Sequence, residues 1–329
     1  MFTYAPIPTT DLYFLNACAH MVSKPWRSGP IERLGANTFR SGDKYLVVRR
    51  DREAVIKRVL SHQQKGGEVI YLIDDDLTAI GDETLPSGYR ERLETLKNGT
   101  YAAMMACATH IVTSSPVIAE KLETEAKVHV LSPVWSGAPR TEAQPANLGG
   151  VTDLVHLGTG SHGAGFEFLR PVIGATLKRF PNVHFHYFGN EPLMGHLDEH
   201  PHVHRRKLKT WAGYKRAMPS FRFHLGLYPL INTPFNAARS VNKILEYTLA
   251  GCPAMYSAEW GKAHGLVHGD NAFLAEDAAA DWQARLVKIL SAPGQMAKVY
   301  GGAKRYFEEK NDVAVQQAFW QEIFIRKQG

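Results

Sequence analysis

The sequence predicts a two-domain α/β protein built on parallel sheets, and three observations carry that expectation. Short β-rich runs alternate with helical stretches from end to end, the pattern of parallel strands joined by crossover helices. Residues 136–150, SGAPRTEAQPANLGG, are rich in Gly, Pro and Ala and carry neither helical nor strand periodicity, which marks a linker. A chain of 329 residues is also long for one core and ample for two. The expected organisation is a first domain over 1–140, a second over 141–305, and a C-terminal helix over 306–329 that packs back across the linker.

In chain order, the first-half strands are KYLVVR, EVIYLID, HIVTSS and VHVLSP, and the second-half strands are LVHLG, VHFHYFG, FHLGLYPL and PAMYS. The histidines of VHFHYF and HPHVHRRKLK alternate as strand residues do, so zinc binding is not expected of them. In ARSVNKILEYTLAGCP, Val241, Ile244, Leu245, Thr248 and Leu249 repeat at the spacing of one buried helical face. Ser240 is placed to cap that helix and Gly251 to stop it, giving a helix over roughly 241–250. Lys243 then falls in the first turn, where the helix dipole disfavours a cation unless an anion is near. The anion is either Glu246 at i+3, a surface pair, or a phosphate bound at the helix N-terminus. In the last helix, Val315, Ala318, Phe319 and Ile323 make one apolar face.

Apolar residues at 44% and charged ones at 21% describe an ordinary folded protein. Cys18, Cys107 and Cys252 have no metal or redox spacing, which fits a reducing compartment and a cytoplasmic location. The start MFTYAPIPTTDLYFLNACAHMVSK lacks a basic region before its short apolar run, and no run approaches the length of a membrane span. Residues 1–150 carry 17 basic and 17 acidic side chains, so the rest of the chain holds the whole net charge of +6 and should take the more anionic ligand. Residues 24–58 hold ten basic and four acidic side chains, suited to peripheral contact with an anionic membrane surface, nucleic acid or a phosphorylated acceptor, or simply to a solvated face.

Ligands of open α/β sheets collect at the carboxyl ends of strands. Three such places are polar here: Asp74, Asp75 and Asp76 after EVIYLI; Gly158, Gly160, Ser161 and His162 in HLGTGSHGAGFEFL; and PFNAARSVNKILEY. Together they resemble the GT-B glycosyltransferases, specifically retaining glycosyltransferase family 4 and its bacterial cell-surface polysaccharide members. The most specific part is FHLGLYPLINTPFNAARSVNKILEYTLAGCPAMYSAEWG; YLIDDDL with HIVTSSPVIAEKL resembles the first domain of the same group.

The resemblance implies two Rossmann-like domains facing an interdomain cleft, with a nucleoside diphosphate sugar on the second domain and a glycan or glycolipid acceptor on the first. It implies a metal-independent hexosyltransferase of polysaccharide biosynthesis that needs no cofactor and acts with retention. Glu246 matches the glutamate that bonds the ribose hydroxyls, and Lys243 and Arg239 would face the diphosphate. Asn236, Ser240, Tyr247, Gly160 and Ser161 complete the donor set. His162 is placed to donate to a phosphate or sugar oxygen, against the plainer reading of a surface histidine. Asp74, Asp75 and Asp76 are expected to position the acceptor; an Asp-x-Asp metal site is the rival reading. The candidate catalytic set is thus Lys243, Arg239, His162 and Asp75. Two positions depart from the family: Ala238 replaces a glutamate that touches the donor sugar, and GTGSHGAGFEF lacks the usual Arg and Lys. The alternatives are a non-catalytic GT-B-like binding protein and a nucleic-acid-modifying glycosyltransferase, the latter suggested by a pI near 9.1.

Overall fold

The computed structural model describes residues 6–81, 85–146, 149–158 and 163–325. Two six-stranded sheets form its frame. The first runs β1 (Glu32–Arg33), β2 (Thr38–Ser41), β3 (Lys44–Val48), β4 (Glu68–Ile73), β5 (His110–Thr113) and β6 (Lys127–Val130) in spatial as in chain order. From β3 to β6 the pairing is parallel, and β3, β4 and β5 are almost wholly buried. That burial explains their unbroken apolar runs. The sheet is not parallel throughout: β1, β2 and β3 pair antiparallel. A two-residue turn at Gly42 and Asp43 joins β2 to β3, with Gly42 at φ +61, a conformation that favours glycine.

The second sheet contains β7 (Thr152–His156), β8 (Val183–Phe188), β9 (Val203–Arg206), β10 (Leu225–Tyr228), β11 (Ala254–Ser257) and β12 (Phe273–Ala275), all parallel. Its spatial order is β12-β11-β10-β7-β8-β9. The order therefore reverses between β7 and β10, and that reversal opens a crevice at their carboxyl ends. Between β6 and β7 the described residues form neither helix nor strand. This segment is nevertheless pinned: Arg140 donates to the Phe221 carbonyl (3.1 Å), and its own carbonyl accepts from Tyr300 (3.1 Å).

The Val313–Ile323 helix packs on the first half through a face that keeps Ile323 and part of Phe319 from the predicted one but is turned away from Val315 and Ala318. Val315 is 62% exposed, whereas Gln316, Trp320, Ile323 and Phe324 are buried. Gln316 lies inward because its amide donates to the carbonyls of Leu12 (3.0 Å) and Ser132 (2.9 Å). Trp320 donates to the Tyr13 carbonyl (2.7 Å) and meets Phe14 edge-on. The largest apolar cluster accordingly joins both sheets, the N-terminal segment and this helix.

Candidate functional site

A cavity of about 840 Å³ lies between the carboxyl ends of the two sheets. Its described lining includes Arg49, Arg50, Arg92, Arg239 and Lys243 against Asp74, Asp75 and Glu191, a cationic balance suited to an anionic ligand.

From the first sheet, Arg49 follows β3 with φ +55, the left-handed region. For a residue with a Cβ that conformation costs roughly 1–2 kcal/mol. Ion pairs hold it there: its guanidinium lies 3.2 Å from Asp74 and 2.6 Å from Asp75. Asp75 also receives Arg239 (2.9 Å) from the second half and Tyr89 (3.3 Å). Burial alone would raise the Asp75 pKa, but Arg49 and Arg239 outweigh it and hold this carboxyl below its ordinary value. Asp74 accepts from Thr9 (2.7 Å), and burial holds it above the ordinary value despite Arg49. Asp76 does not line the cavity: its oxygens are taken by Lys121 (2.6 Å) and by the Thr78 amide (2.9 Å) and hydroxyl (2.6 Å). Among the described residues no three His, Cys, Asp or Glu side chains are grouped to hold a metal ion. The strand histidines bond one another and Asp153 instead: His184 meets His204 (2.8 Å), and His186 donates to Asp153 (2.7 Å).

From the second sheet, the crevice at the order reversal is filled by Tyr247. Its hydroxyl accepts from the Leu157 amide (2.9 Å) and donates to the Leu227 carbonyl (2.9 Å), and the side chain is wholly buried. Tyr247 thus anchors the helix to β7 and β10 and does not line the cavity. The helix itself spans Asn242–Leu249 with Val241 at its N-cap, so Ser240 lies one residue before the cap. The Ser240 hydroxyl accepts from Tyr13 (3.0 Å) across the cleft and, at 3.4 Å, from the Asn242 amide.

Lys243 lines the cavity and donates to the Leu157 carbonyl (2.5 Å) while pairing with Glu246 at 2.6 Å. The pair is not a surface one: Glu246 is 4% exposed, and its other oxygen accepts from Tyr214 (2.5 Å). Arg239 sits 4.6 Å over the Phe235 ring, and its carbonyl accepts from Trp260 (3.2 Å) and meets His264 (2.9 Å). Asn236 uses its amide on the Ile231 carbonyl (2.9 Å), away from the cavity. Ala238 is buried at 2% exposure. Gly160, Ser161 and His162 lie outside the described residues.

The structure therefore gathers Asp74, Asp75, Arg239, Ser240 and Lys243 in one cavity and places Asp76, Asn236, Tyr247 and Glu246, expected at the ribose, in supporting positions outside its lining. Sequence analysis missed Arg49, Tyr89, Thr9 and Tyr13. Arg49 was findable: it ends KYLVVR and is as much a strand-end polar residue as Asp74. Tyr13 and Thr9 carry no local signal, because the N-terminal segment reaches the cleft only through the tertiary fold.

No protein-family model and no curated protein matches the sequence. Solved structures do match the fold. HepE from Anabaena, in complex with UDP and glucose, aligns with TM-score 0.60 at 14% identity over 84% of this chain and 76% of its own. Sucrose-phosphate synthase from Thermosynechococcus elongatus aligns with TM-score 0.58 at 11% identity over 82% and 70%. WaaG, a glycosyltransferase involved in lipopolysaccharide biosynthesis, aligns with TM-score 0.56 at 14% identity over 83% of each chain. The chain has the GT-B fold, two Rossmann-like domains facing a cleft.

Proposed function

We propose that this chain is a nucleotide-sugar-dependent glycosyltransferase that moves a hexosyl unit to a polysaccharide or glycolipid acceptor with retention and without a metal ion. The observation that carries the proposal is the meeting of Lys243, Arg239 and Ser240 in the cleft cavity, at the start of the helix whose Tyr247 fills the strand-order reversal. Basic side chains at such a place suit a diphosphate, and in HepE the bound molecules are UDP and glucose. Uridine diphosphate is therefore the nucleotide to test first.

In this reading Lys243 and Arg239 stabilise the charge that develops on the leaving diphosphate. Glu246, expected at the ribose, acts here through Lys243, since its two oxygens are taken by Lys243 and Tyr214, and Asp74 and Asp75 position the acceptor. Asp75, fixed by two arginines and lowered in basicity, is a poor proton acceptor. The chemistry then falls to the substrates: the acceptor oxygen bonds to the sugar carbon as the carbon–phosphate oxygen bond breaks, and the acceptor proton passes to the departing phosphate.

Calorimetric titration with UDP tests the donor site. Loss of a charge-assisted hydrogen bond worth roughly 1.5–3 kcal/mol in Lys243→Ala is expected to weaken binding about ten- to a hundredfold, with or without EDTA. Because Lys243 pairs with a buried carboxylate, the variant's own unfolding is measured alongside, and Ser240→Ala supplies a second, milder substitution. Unchanged affinity in folded Lys243→Ala, or binding that disappears with EDTA, would overturn the reading. Release of UDP from UDP-glucose separates an enzyme from a binding protein.

A further inference from the structure

A second cavity, of about 620 Å³, lies beside the first on the far side of the segment 205–209. Leu208 faces the cleft, whereas Arg205, Arg206, Lys207 and Lys209 line the second cavity, joined there by Arg222. Arg205 also donates to the carbonyl of Asn190, a cleft residue (3.2 Å), so one wall serves both. Phe188, Phe221 and Phe223 lie within it, all buried to 9% exposure or less.

The charge here is uncompensated. Residues 200–245 hold nine Lys and Arg and no Asp or Glu. None of the five cations of this cavity forms an ion pair with a carboxylate among the described residues. Asp153 is the single carboxylate in the lining, and it is committed to His186 (2.7 Å). His186 is 5% exposed and, bonded to Asp153 through Nε2, uses Nδ1 to accept from Nε of Arg206 (3.3 Å). Arg206 also lies 5.8 Å over the Phe223 ring. A buried histidine and a ring thus orient this arginine while leaving its two terminal NH₂ groups without a partner among the described residues, the fork that suits a phosphate or sulfate group.

We propose that this cavity binds a glycan bearing phosphate or sulfate groups, as an extension of the acceptor beyond the cleft. The anion site stands on the geometry alone; the assignment to a glycan rests on the glycosyltransferase reading. Its volume suits a few sugar rings, in the range of small-molecule sites. A bilayer is less well matched to a concave surface, and nucleic acid would need exposed aromatic faces for stacking, whereas these rings are buried.

The test titrates a short dextran sulfate oligosaccharide, and uncharged dextran of equal length, into the full chain saturated with UDP. The sulfated oligosaccharide alone should bind. Arg206→Ala and the double variant Lys207→Ala, Lys209→Ala should each weaken it at least tenfold, while Lys57→Ala on the first half leaves it unchanged. UDP affinity should be the same in all of these variants, which separates failure of this site from failure of the donor reading. Equal binding by the variants, displacement of the oligosaccharide by UDP, or a response to Arg206→Ala seen only with phosphatidylglycerol vesicles or single-stranded RNA would overturn the proposal.

Discussion

Lys243 and His156 flank the same crevice, and burial decides the behaviour of both. In sequence, Lys243 has a surface partner at i+3; in the structure that partner is buried and shared with Tyr214. His156 is wholly buried at the end of β7, with Nδ1 on the Leu227 carbonyl (2.8 Å). Burial drives its pKa down to about 4; the Leu227 bond opposes this and Lys243 adds to it. The unfolded chain therefore binds a proton near pH 6.5 that the folded protein refuses until about pH 4. The contribution of this histidine to stability is whole above pH 6.5, falls as the pH drops below that, and reaches its minimum near pH 4, a loss of up to about 3 kcal/mol. Urea unfolding between pH 7 and pH 4 should show that slope in the parent protein and a flatter one in His156→Gln. A slope that survives the substitution would assign it to other groups.

Helix 242–249 reaches its place because Gly226 in β10 makes room for Tyr247. A Cβ on Gly226 would lie 2.3 Å from the Tyr247 ring and 2.8 Å from Ala254. Gly226→Ala is expected to destabilise by about 1–3 kcal/mol, since ring and strand backbone must both move. Gly301, inside the Gln295–Lys310 helix, has nothing within 4 Å of such a Cβ. Gly301→Ala should instead gain about 0.5–1 kcal/mol of helix propensity. Equal effects of the two substitutions in thermal unfolding would refute this packing account. Elements of this kind were legible from their apolar runs: all eight runs became strands, unbroken in the buried β3 and β4 as parallel strands covered on both faces should be, and alternating in β6, which is mostly exposed. The two-residue edge strand β1 and the three-residue edge strand β12 were not named, being too brief for a period to show, and neither was β2, whose TFRS carries no apolar run. The buried face of the last helix was misread because Gln316 is inside for its hydrogen bonds, which an apolar count cannot register.

Across the whole molecule, the halves are joined by polar contacts at the cleft: Trp211 and Lys215 donate to Asp11, Tyr13 to Ser240, and Trp135 to Asn242. The Asp75–Arg239 bridge spans 164 residues of sequence, so each side chain was legible as a candidate while their pairing was not. Asp75 is 2% exposed in its side chain and serves two arginines at once. Asp75→Asn would leave the buried Arg239 without its carboxylate and Arg49 with Asp74 alone, and should cost about 3–5 kcal/mol. Arg239→Gln leaves Asp75 with Arg49 and Tyr89, so a loss of only about 1–2 kcal/mol is expected. Combined, the two substitutions should cost less than their sum by roughly 0.5–3 kcal/mol, because each removes what the other lacks a partner for. A double-mutant cycle in urea, with all four proteins at neutral pH, measures that difference. Additivity to within about 0.5 kcal/mol would mean that the two halves are held by their other contacts and that this bridge, although short, does not couple them.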